Sequence, residues 1–298
     1  MNQIDLNYEN YSFINQHEKN SFFKTALTWN GSATPFVIHR VLLFMLYSFV
    51  ASTFEKYIPT PTLPISPFQY TGFALGILLV LRINAGLERW WEARKLWGNI
   101  VNQSRNLALI INTYCNDENE KIKILKYIAS WPFVIMNSLR NVDSTTKLIK
   151  FLDPPDLEQL KEHTHKPTFI ALKLDESFQK LVNNNLNAYA FHLLQNERLL
   201  LLNAVGACER IASTPIPFVL AIKIRRFILM FLLLLPFCMN DKSHIYTAII
   251  VGLVAYPLLS LDEIGLQLQN PFSLKSLSCL PLENICEKIY TNVSHKKF

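Results

Sequence analysis

GFALGILLVLRINAGLERWWEARKLWG, residues 72–98, is the stretch of this sequence that decides the fold. It begins as an almost wholly apolar run that ends at Leu81, and from Arg82 onward it is rich in charged residues. No proline and no cluster of turn residues separates the two halves, and Ala, Leu, Glu, Arg and Lys are good helix formers. A helix of a water-soluble protein carries its apolar residues as a stripe, not as one half of its length. The stretch therefore predicts one long helix that starts inside a bilayer and continues into water.

The composition agrees with a protein that is part membrane and part water. Of the 298 residues, 50% are hydrophobic and 17% are charged, a mixture too polar for a pure membrane bundle and too apolar for a typical soluble domain. The net charge of +6 is compatible with binding to a nucleic acid, with contact to an acidic membrane surface or with loops held on the cytoplasmic side. Because the basic residues are interleaved with acidic ones and form no patch, we expect no nucleic-acid partner.

The cysteines and the N-terminus indicate a largely cytoplasmic protein. The five cysteines are scattered and form no CxxC pair, which indicates reduced thiols and not a disulfide scaffold. The N-terminal sequence MNQIDLNYENYSF has no basic region followed by an apolar core. We therefore expect no cleavable signal peptide, and insertion into the membrane through internal segments.

Four apolar segments are candidates to span the membrane. A span needs about 20 residues, and the candidates are residues 36–54, 68–81, 214–239 and 245–261. The second is short, which is tolerable if one face lines a pore. Three basic residues shorten the apolar part of the third to 227–238, and these are Lys223, Arg225 and Arg226.

Between the second and third candidates the sequence is helical in character. The spacing of apolar residues over 99–213 is close to 3.6, and no run alternates as strands do. Asp153-Pro154-Pro155 predicts a break, after which Asp156 is a candidate helix cap. The predicted class is all-α, organised as an N-terminal arm (1–35), two transmembrane helices with a cytoplasmic extension (36–98), a cytoplasmic helical region (99–213), two further transmembrane helices (214–261) and a C-terminal tail (262–298).

The distribution of basic residues predicts the orientation. The connections 55–67 and 240–244 carry only Lys56 and Lys242, whereas the opposite flanks of the spans carry seven basic residues. By the positive-inside rule, the helical middle region and both termini lie in the cytoplasm. We expect a multi-pass protein of the inner (plasma) membrane.

Four motifs in order resemble those of bacterial bestrophin homologues. They are Arg82-x-Asn84 with Glu88-Arg89-Trp90-Trp91-Glu92-Ala93-Arg94-Lys95-Leu96-Trp97-Gly98, then Thr214-Pro215-Ile216-Pro217, then Asp262-Glu263-Ile264-Gly265, and finally Asn270-Pro271-Phe272 with Leu280-Pro281-Leu282. Together they cover the chain from about Arg82 to Ile289. The resemblance implies an ion channel made of a ring of five identical subunits, with other copies of the chain, membrane lipid and permeant small ions as its partners.

The resemblance does not decide which ion passes through the channel. The best-known bestrophins pass chloride and other small anions, which favours an anion channel here, while some bacterial homologues favour sodium or potassium. From the residues alone, a membrane-anchored helical interaction protein is a further alternative.

Three apolar residues are candidates for a pore neck. Phe73, Ile77 and Leu81 are spaced i, i+4, i+8 and share one helix face. Periodicity alone favours a lipid-facing or core stripe. The resemblance to bestrophins, whose matching helix lines the pore, favours a hydrophobic neck that can gate by dewetting.

Two further sets of residues are singled out by the same resemblance. A structural and gating role, holding the long helix against its neighbours, is expected for Arg82, Asn84, Arg89, Trp90, Trp91 and Glu92. Counting back from Ile216-Pro217 gives Tyr189 as a cytoplasmic constriction, with Asn185, Ala188 and His192 as neighbours. An ordinary buried tyrosine is the alternative for Tyr189.

No metal, cofactor or catalytic site is expected. Animal bestrophins bind calcium with an acidic cluster after NPF, but here residues 273–278 contain no carboxylate, and calcium prefers carboxylate oxygens. His163 and His165 form an HxH in a charged segment, which favours exposed surface over a metal site. The signatures GxGxxG, GxxxxGK[ST], HExxH and GxSxG are absent, so we expect no enzyme.

Overall fold

The protein is described here by a computed structural model that covers residues 22–55, 63–142, 144, 146–239 and 244–294. Within these ranges it contains helices and no strand, which confirms the all-α class. The helices are α1 (Phe22–Ala26), α2 (Thr34–Glu55), α3 (Ile65–Tyr114), α4 (Glu118–Arg140), α5 (Pro154–Glu162), α6 (Lys166–Asn183), α7 (Ala188–Ser213), α8 (Phe218–Leu234), α9 (His244–Gln267) and α10 (Leu282–Ser294). Two 3₁₀ turns occupy Leu148–Lys150 and Leu235–Cys238.

The predicted long helix is a single helix of 50 residues, α3. It reaches Tyr114 and so includes residues that the sequence analysis placed in the separate region 99–213. Its only proline, Pro67, lies in the first turn, where a missing backbone N–H costs nothing. At 1.5 Å per residue, α3 is about 75 Å long.

Among the residues that the structure describes, three helices are long and apolar enough to cross a membrane: α2, α3 and α9. The remaining predicted span, 214–239, forms α8, whose 17 residues continue into the 3₁₀ turn Leu235–Cys238. The basic residues Lys223, Arg225 and Arg226 all lie within α8. Residues 56–62 and 240–243, in the predicted external connections, and residues 1–21 of the predicted arm lie outside the described ranges.

The chain divides into two compact units. The first contains the residues up to Trp90 together with Pro215–Gln269 and Ser276–Ser278. Its apolar core is contributed by α2, α3, α8 and α9, and consists of Val37, Val41, Leu75, Leu79, Ile224, Ile228, Phe231, Leu232, Ala255 and Leu259. Burial of such side chains in lipid gains little from the hydrophobic effect, so close packing supplies much of the attraction between these helices.

The contact between α2 and α9 illustrates this close packing. A Cβ atom at Gly252 would lie only 2.7 Å from the Sδ atom of Met45, so a larger residue there would force the Met45 side chain to move. The Tyr47 hydroxyl donates to the carbonyl oxygen of Leu233 (3.0 Å). That carbonyl is in the last turn of α8, where helix carbonyl groups commonly take a side-chain donor.

The second unit contains Trp91–Thr214, Asn270–Lys275 and the residues from Cys279 onward. Helix α4 is its centre, because α6, α7 and α10 all pack against it. Asp117 caps α4 by accepting hydrogen bonds from the N–H groups of Asn119 and Glu120. At the other end Asn141 adopts a left-handed conformation (φ 53°), as is common after a helix.

One predicted cap is wrong. The helix after the Asp153-Pro154-Pro155 break begins at Pro154, so Asp156 lies inside its first turn and Asp153 is at the cap position. The Asp156 carboxylate instead accepts a hydrogen bond from the Tyr127 hydroxyl and pairs with Lys173 (3.2 Å). The predictive signal was misread because Pro154 is itself a favoured first helical residue.

The NPF and LPL motifs meet in the second unit. The Leu280 N–H donates to the carbonyl oxygen of Pro271 (2.7 Å). The Arg140 guanidinium donates from Nε to the carbonyl oxygen of Phe272 (3.2 Å), and its two Nη atoms bind both oxygens of Glu283. This buried pair attaches α10 and the NPF turn to the end of α4.

Candidate functional site

The apolar residues predicted to form a neck lie on one exposed face of α3. Exposed fractions in the single chain are 74% for Phe73, 48% for Ile77 and 58% for Leu81. We call these three residues the neck stripe. Between them, Leu75 and Leu79 are fully buried in the core of the first unit, so α3 has a packed face and an unpacked apolar face.

The packed face of α3 continues beyond the apolar half of the helix. At about 100° per residue, Arg82, Gly86 and Arg89 lie roughly 150° around the helix from the neck stripe. A Cβ atom at Gly86 would lie 2.9 Å from Leu268 Cβ and 3.5 Å from the Gly265 carbonyl oxygen. Helix α3 therefore touches the last turns of α9 with almost no space between the backbones.

Arg82 is the most deeply buried charged residue of this face. Its side chain is 2% exposed, and Nη1 forms an ion pair with Oδ1 of Asp262, whose side chain is 4% exposed. Arg225, from α8, binds the other oxygen of Asp262 through Nε at 2.9 Å. One carboxylate thus joins basic side chains from two different helices.

The neighbouring carboxylate extends the cluster. Glu263 lies 3.7 Å from Nη1 of Arg40, on α2, and accepts a hydrogen bond from Gln267 Nε2 at 2.8 Å. We call Asp262 and Glu263 the carboxylate pair. Both are nearly fully buried.

The aromatic and basic motif after Arg82 also contacts the end of α9 and the segment beyond it. Arg89 Nε donates to the carbonyl oxygen of Gln269 (3.2 Å), and Trp90 Nε1 donates to the carbonyl oxygen of Ser278 (2.7 Å). The other residues predicted for this role, Asn84, Trp91 and Glu92, are exposed in the single chain.

Tyr189 lies in the first turn of α7 and is 62% exposed. Asn187 caps this helix, with its side-chain oxygen accepting from the Tyr189 N–H (2.9 Å). Asn185, before the cap, has a left-handed backbone (φ 67°). The tyrosine side chain is thus presented by a well-defined helix start, and it is not a buried core residue.

The HxH motif has a local structural setting. His165 caps α6, with Nδ1 close to the Thr168 hydroxyl and Nε2 2.8 Å from Glu209. Over the described part of the chain, no group of three or more His, Cys, Asp or Glu side chains comes together in a way that could hold a metal ion. All five cysteines are buried, and burial raises the pKa of the Cys208 thiol to about 12.

The cluster around the carboxylate pair was not foreseen from the sequence. The motif Asp262-Glu263-Ile264-Gly265 was noted only as part of a resemblance, and Arg40 and Arg225 only as basic flanks. A usable signal was present, because two adjacent carboxylates directly follow an apolar segment. Charged residues at such a position are expensive unless they are paired.

Comparisons with known proteins agree on one family. The family model described as "Bacterial/Fungal Bestrophin protein" matches residues 14–295. A voltage-dependent anion channel-forming protein of Synechocystis sp. is 31% identical over 291 residues, which are 95% of this chain and 94% of that protein. A relative of the same name from Escherichia coli is 30% identical over 90% of this chain and 89% of its own length.

A solved structure supports the same grouping. The structure of a bacterial bestrophin homologue from Klebsiella pneumoniae superposes with a TM-score of 0.79. The two sequences are 27% identical, and the match covers 86% of this chain and 97% of the other.

Proposed function

This chain belongs to the bacterial and fungal bestrophin family, and on that premise we propose that it is a membrane channel that conducts small anions such as chloride. Its relatives from Synechocystis sp. and Escherichia coli are named as anion channel-forming proteins. Three helices of suitable length and apolarity make it a membrane protein.

The neck stripe is the observation that carries the proposal. A helix of a membrane protein can expose apolar residues to lipid, but α3 continues far beyond any bilayer, and only its first part is apolar. A ring of Phe73, Ile77 and Leu81 side chains would form a narrow apolar constriction. Such a constriction controls ion passage through the cost of removing water from the ion.

One chain contributes one such stripe, and one stripe cannot enclose a pore. The channel is therefore a homo-oligomer, which in the family's pattern is a ring of five copies with α3 nearest the axis. Residues that follow the stripe, from Arg82 to Glu92, hold α3 in place and transmit gating movements. Tyr189 forms a second constriction at the cytoplasmic exit.

The orientation follows from charge. Arg40, Arg82 and Arg225 come from three helices and converge on the carboxylate pair. Because basic residues are retained on the cytoplasmic side, this end of the apolar unit faces the cytoplasm. Both termini are then cytoplasmic, and the protein lies in the inner (plasma) membrane with lipid as its surroundings.

Ion flux tests the proposal directly. Purified protein is placed in a planar bilayer under a NaCl gradient and the reversal potential is read. We expect a reversal close to the chloride equilibrium potential. A reversal close to that of sodium would instead indicate a cation channel of the same fold. The complete absence of current would favour a membrane-anchored interaction protein.

Ile77→Ala tests the neck. Truncation widens the constriction and lowers the dehydration barrier, and each 1.4 kcal/mol removed raises the current about tenfold. Ile249→Ala on α9 is the matched control, because it makes the same change at a side chain of similar exposure, 43% against 48%. Equal currents from the two variants would contradict the assignment of the neck.

A further inference from the structure

Arg82 directly follows Leu81, the last residue of the neck stripe, yet its side chain points away from the stripe into the packed face of α3. Leu81 is 58% exposed, whereas the Arg82 side chain is 2% exposed and paired with Asp262. Side chains separated by one residue on a helix point about 100° apart. The position of Arg82 therefore fixes which residues of α3 make up its exposed face.

The space around Arg82 leaves little freedom for α3 to turn. A Cβ atom at Gly265 would lie 3.1–3.3 Å from the Cγ, Cδ and Nε atoms of Arg82, so only glycine accommodates the arginine without a shift. A Cβ atom at Gly86, one turn beyond Arg82 on α3, would lie 2.9 Å from Leu268 Cβ. Rotation of α3 would drive the arginine into the α9 backbone.

Charge compensation for Arg82 comes chiefly from one side chain. All three of its guanidinium nitrogens are buried and make no hydrogen bond to any residue within the described ranges, and Nη1 forms its ion pair with Asp262. Asp262 is therefore its direct partner, while Arg225 shares the same carboxylate. A buried charge that loses its partner costs several kcal/mol, so α3 cannot turn Arg82 away from Asp262 cheaply.

We propose that Asp262 is the positioning residue of the neck. By holding Arg82 on the packed face of α3, it fixes the rotational register in which Phe73, Ile77 and Leu81 face the pore. The carboxylate does not contact the permeant ion, and acts on conduction only through Arg82. Glu263 supports it by binding Arg40 and by accepting from Gln267. This inference rests on the proposed function of the neck stripe.

Thiol modification of single cysteines in full-length channels tests the register. Cysteine is introduced at position 77 on the stripe, or at 74 or 80, which are exposed and about 60° to either side. A charged methanethiosulfonate reagent is applied during current recording. The five native cysteines are buried, so the protein without an introduced cysteine is expected not to respond.

We expect the Ile77→Cys current to be blocked at least about tenfold faster than that of Ala74→Cys or Val80→Cys, because reaction requires exposure of the thiolate to the pore. This ratio of rates reports the register of α3. If the Ile77→Cys current is not blocked at all, the assignment of the neck is wrong. The proposed function then fails independently of the role of Asp262.

The decisive variant combines Arg82→Met with Asp262→Leu in each of the three cysteine backgrounds. Removing both charges avoids a buried unpaired ion, and such replacements are often neutral for stability. We expect current to remain and the ratio of block rates to fall to within about threefold, since α3 is no longer held at one angle. A ratio that stays as in the parent would overturn the proposal.

Two further variants keep the result interpretable. Lys147→Met with Glu287→Leu removes an exposed ion pair of 3.4 Å, and we expect it to leave the ratio unchanged. If the double variant of Arg82 and Asp262 forms no channels, the variant Asp262→Glu tests the role of Asp262 instead. It keeps the charge but displaces Arg82 by about one methylene, so we expect current with an altered ratio, and an unaltered ratio would refute the role of Asp262.

Discussion

Asp156 shows how a single carboxylate links the stability of the second unit to pH. Burial by itself raises the pKa of the Asp156 carboxyl group. Hydrogen bonds from Tyr127 and Lys173 lower the pKa by a larger amount, so it lies below its ordinary value of 3.8. A carboxylate whose pKa is depressed in the folded protein contributes stability above its unfolded pKa. That contribution is lost as the pH falls through the folded pKa.

Asp156→Asn is therefore expected to destabilise the protein near neutral pH, by about 1–3 kcal/mol for the loss of a charged hydrogen-bond partner. Below a pH of about 4 the difference from the wild type should shrink, because the Asp156 carboxyl group is protonated first in the unfolded chain and then, at lower pH, in the folded protein. Chemical denaturation at pH 6 and pH 3 measures both values. Asp153→Asn is the control, since the Asp153 side chain makes no cap hydrogen bond. A difference that does not change with pH would contradict the assignment.

Gly86 tests the close contact of α3 with α9. In Gly86→Ala the new Cβ would lie 2.9 Å from Leu268 Cβ, an atom next to the backbone that cannot rotate away. We expect overpacking to cost about 1–3 kcal/mol. Gly206→Ala has open space around its Cβ, so the gain in helix propensity should leave that variant at least as stable as the wild type. Thermal unfolding in detergent compares the two, and equal midpoints would argue against the contact.

At the scale of elements, the attachment of α10 depends on the pair formed by Arg140 and Glu283. We expect Glu283→Gln to cost about 3–5 kcal/mol, because it removes the carboxylate that binds the buried Arg140 guanidinium. The rate of hydrogen exchange of the α10 amides should rise in the same variant. Glu287→Gln makes the same change on the same helix in an exposed pair with Lys147, and we expect an effect below about 1 kcal/mol. Similar exchange in both variants would show that α10 is held in another way.

The helices of this protein were largely predictable from sequence, and the reason is local. The long helix α3 followed from helix-forming residues without an interrupting proline, and the spacing of Phe73, Ile77 and Leu81 identified its exposed face. Its true end at Tyr114 was not predicted, because residues 99–114 could equally have formed a separate helix. The cap at Asp156 was misplaced by a few residues, as helix starts often are.

The charge cluster could not be predicted, because it depends on tertiary packing. Arg82 and Asp262 are far apart in the sequence, and nothing in the local pattern of either one identifies the other. In the sequence nothing distinguishes Gly265 from other glycines near a helix end, and only the folded chain shows its contact with Arg82. The sequence therefore supports the neck stripe as a hypothesis, while the side chains that hold α3 in register emerge only from the folded chain.

At the scale of the whole molecule, the proposed neck requires other copies of the chain, because one stripe cannot enclose a pore. We expect native mass spectrometry of detergent-solubilised protein to give a single species of five 34.4-kDa chains. The Ile77→Ala variant should give the same number of subunits, because in the proposed ring the stripe faces the pore and not the neighbouring subunit. A monomer under these conditions would contradict the ring, and another number of subunits would keep the ring but change its symmetry.

The length of α3 also determines where an applied voltage acts. The hydrocarbon layer is about 30 Å thick, which corresponds to about 20 residues of helix, and Leu81 is the seventeenth residue of α3. Because the membrane potential drops almost entirely across the layer of low dielectric constant, the proposed assignment puts the neck stripe inside the electric field and most of the rest of α3 outside it. On that assignment the movement of an ion through the neck depends on the membrane potential, whereas its passage along the remaining length of the helix is nearly independent of it.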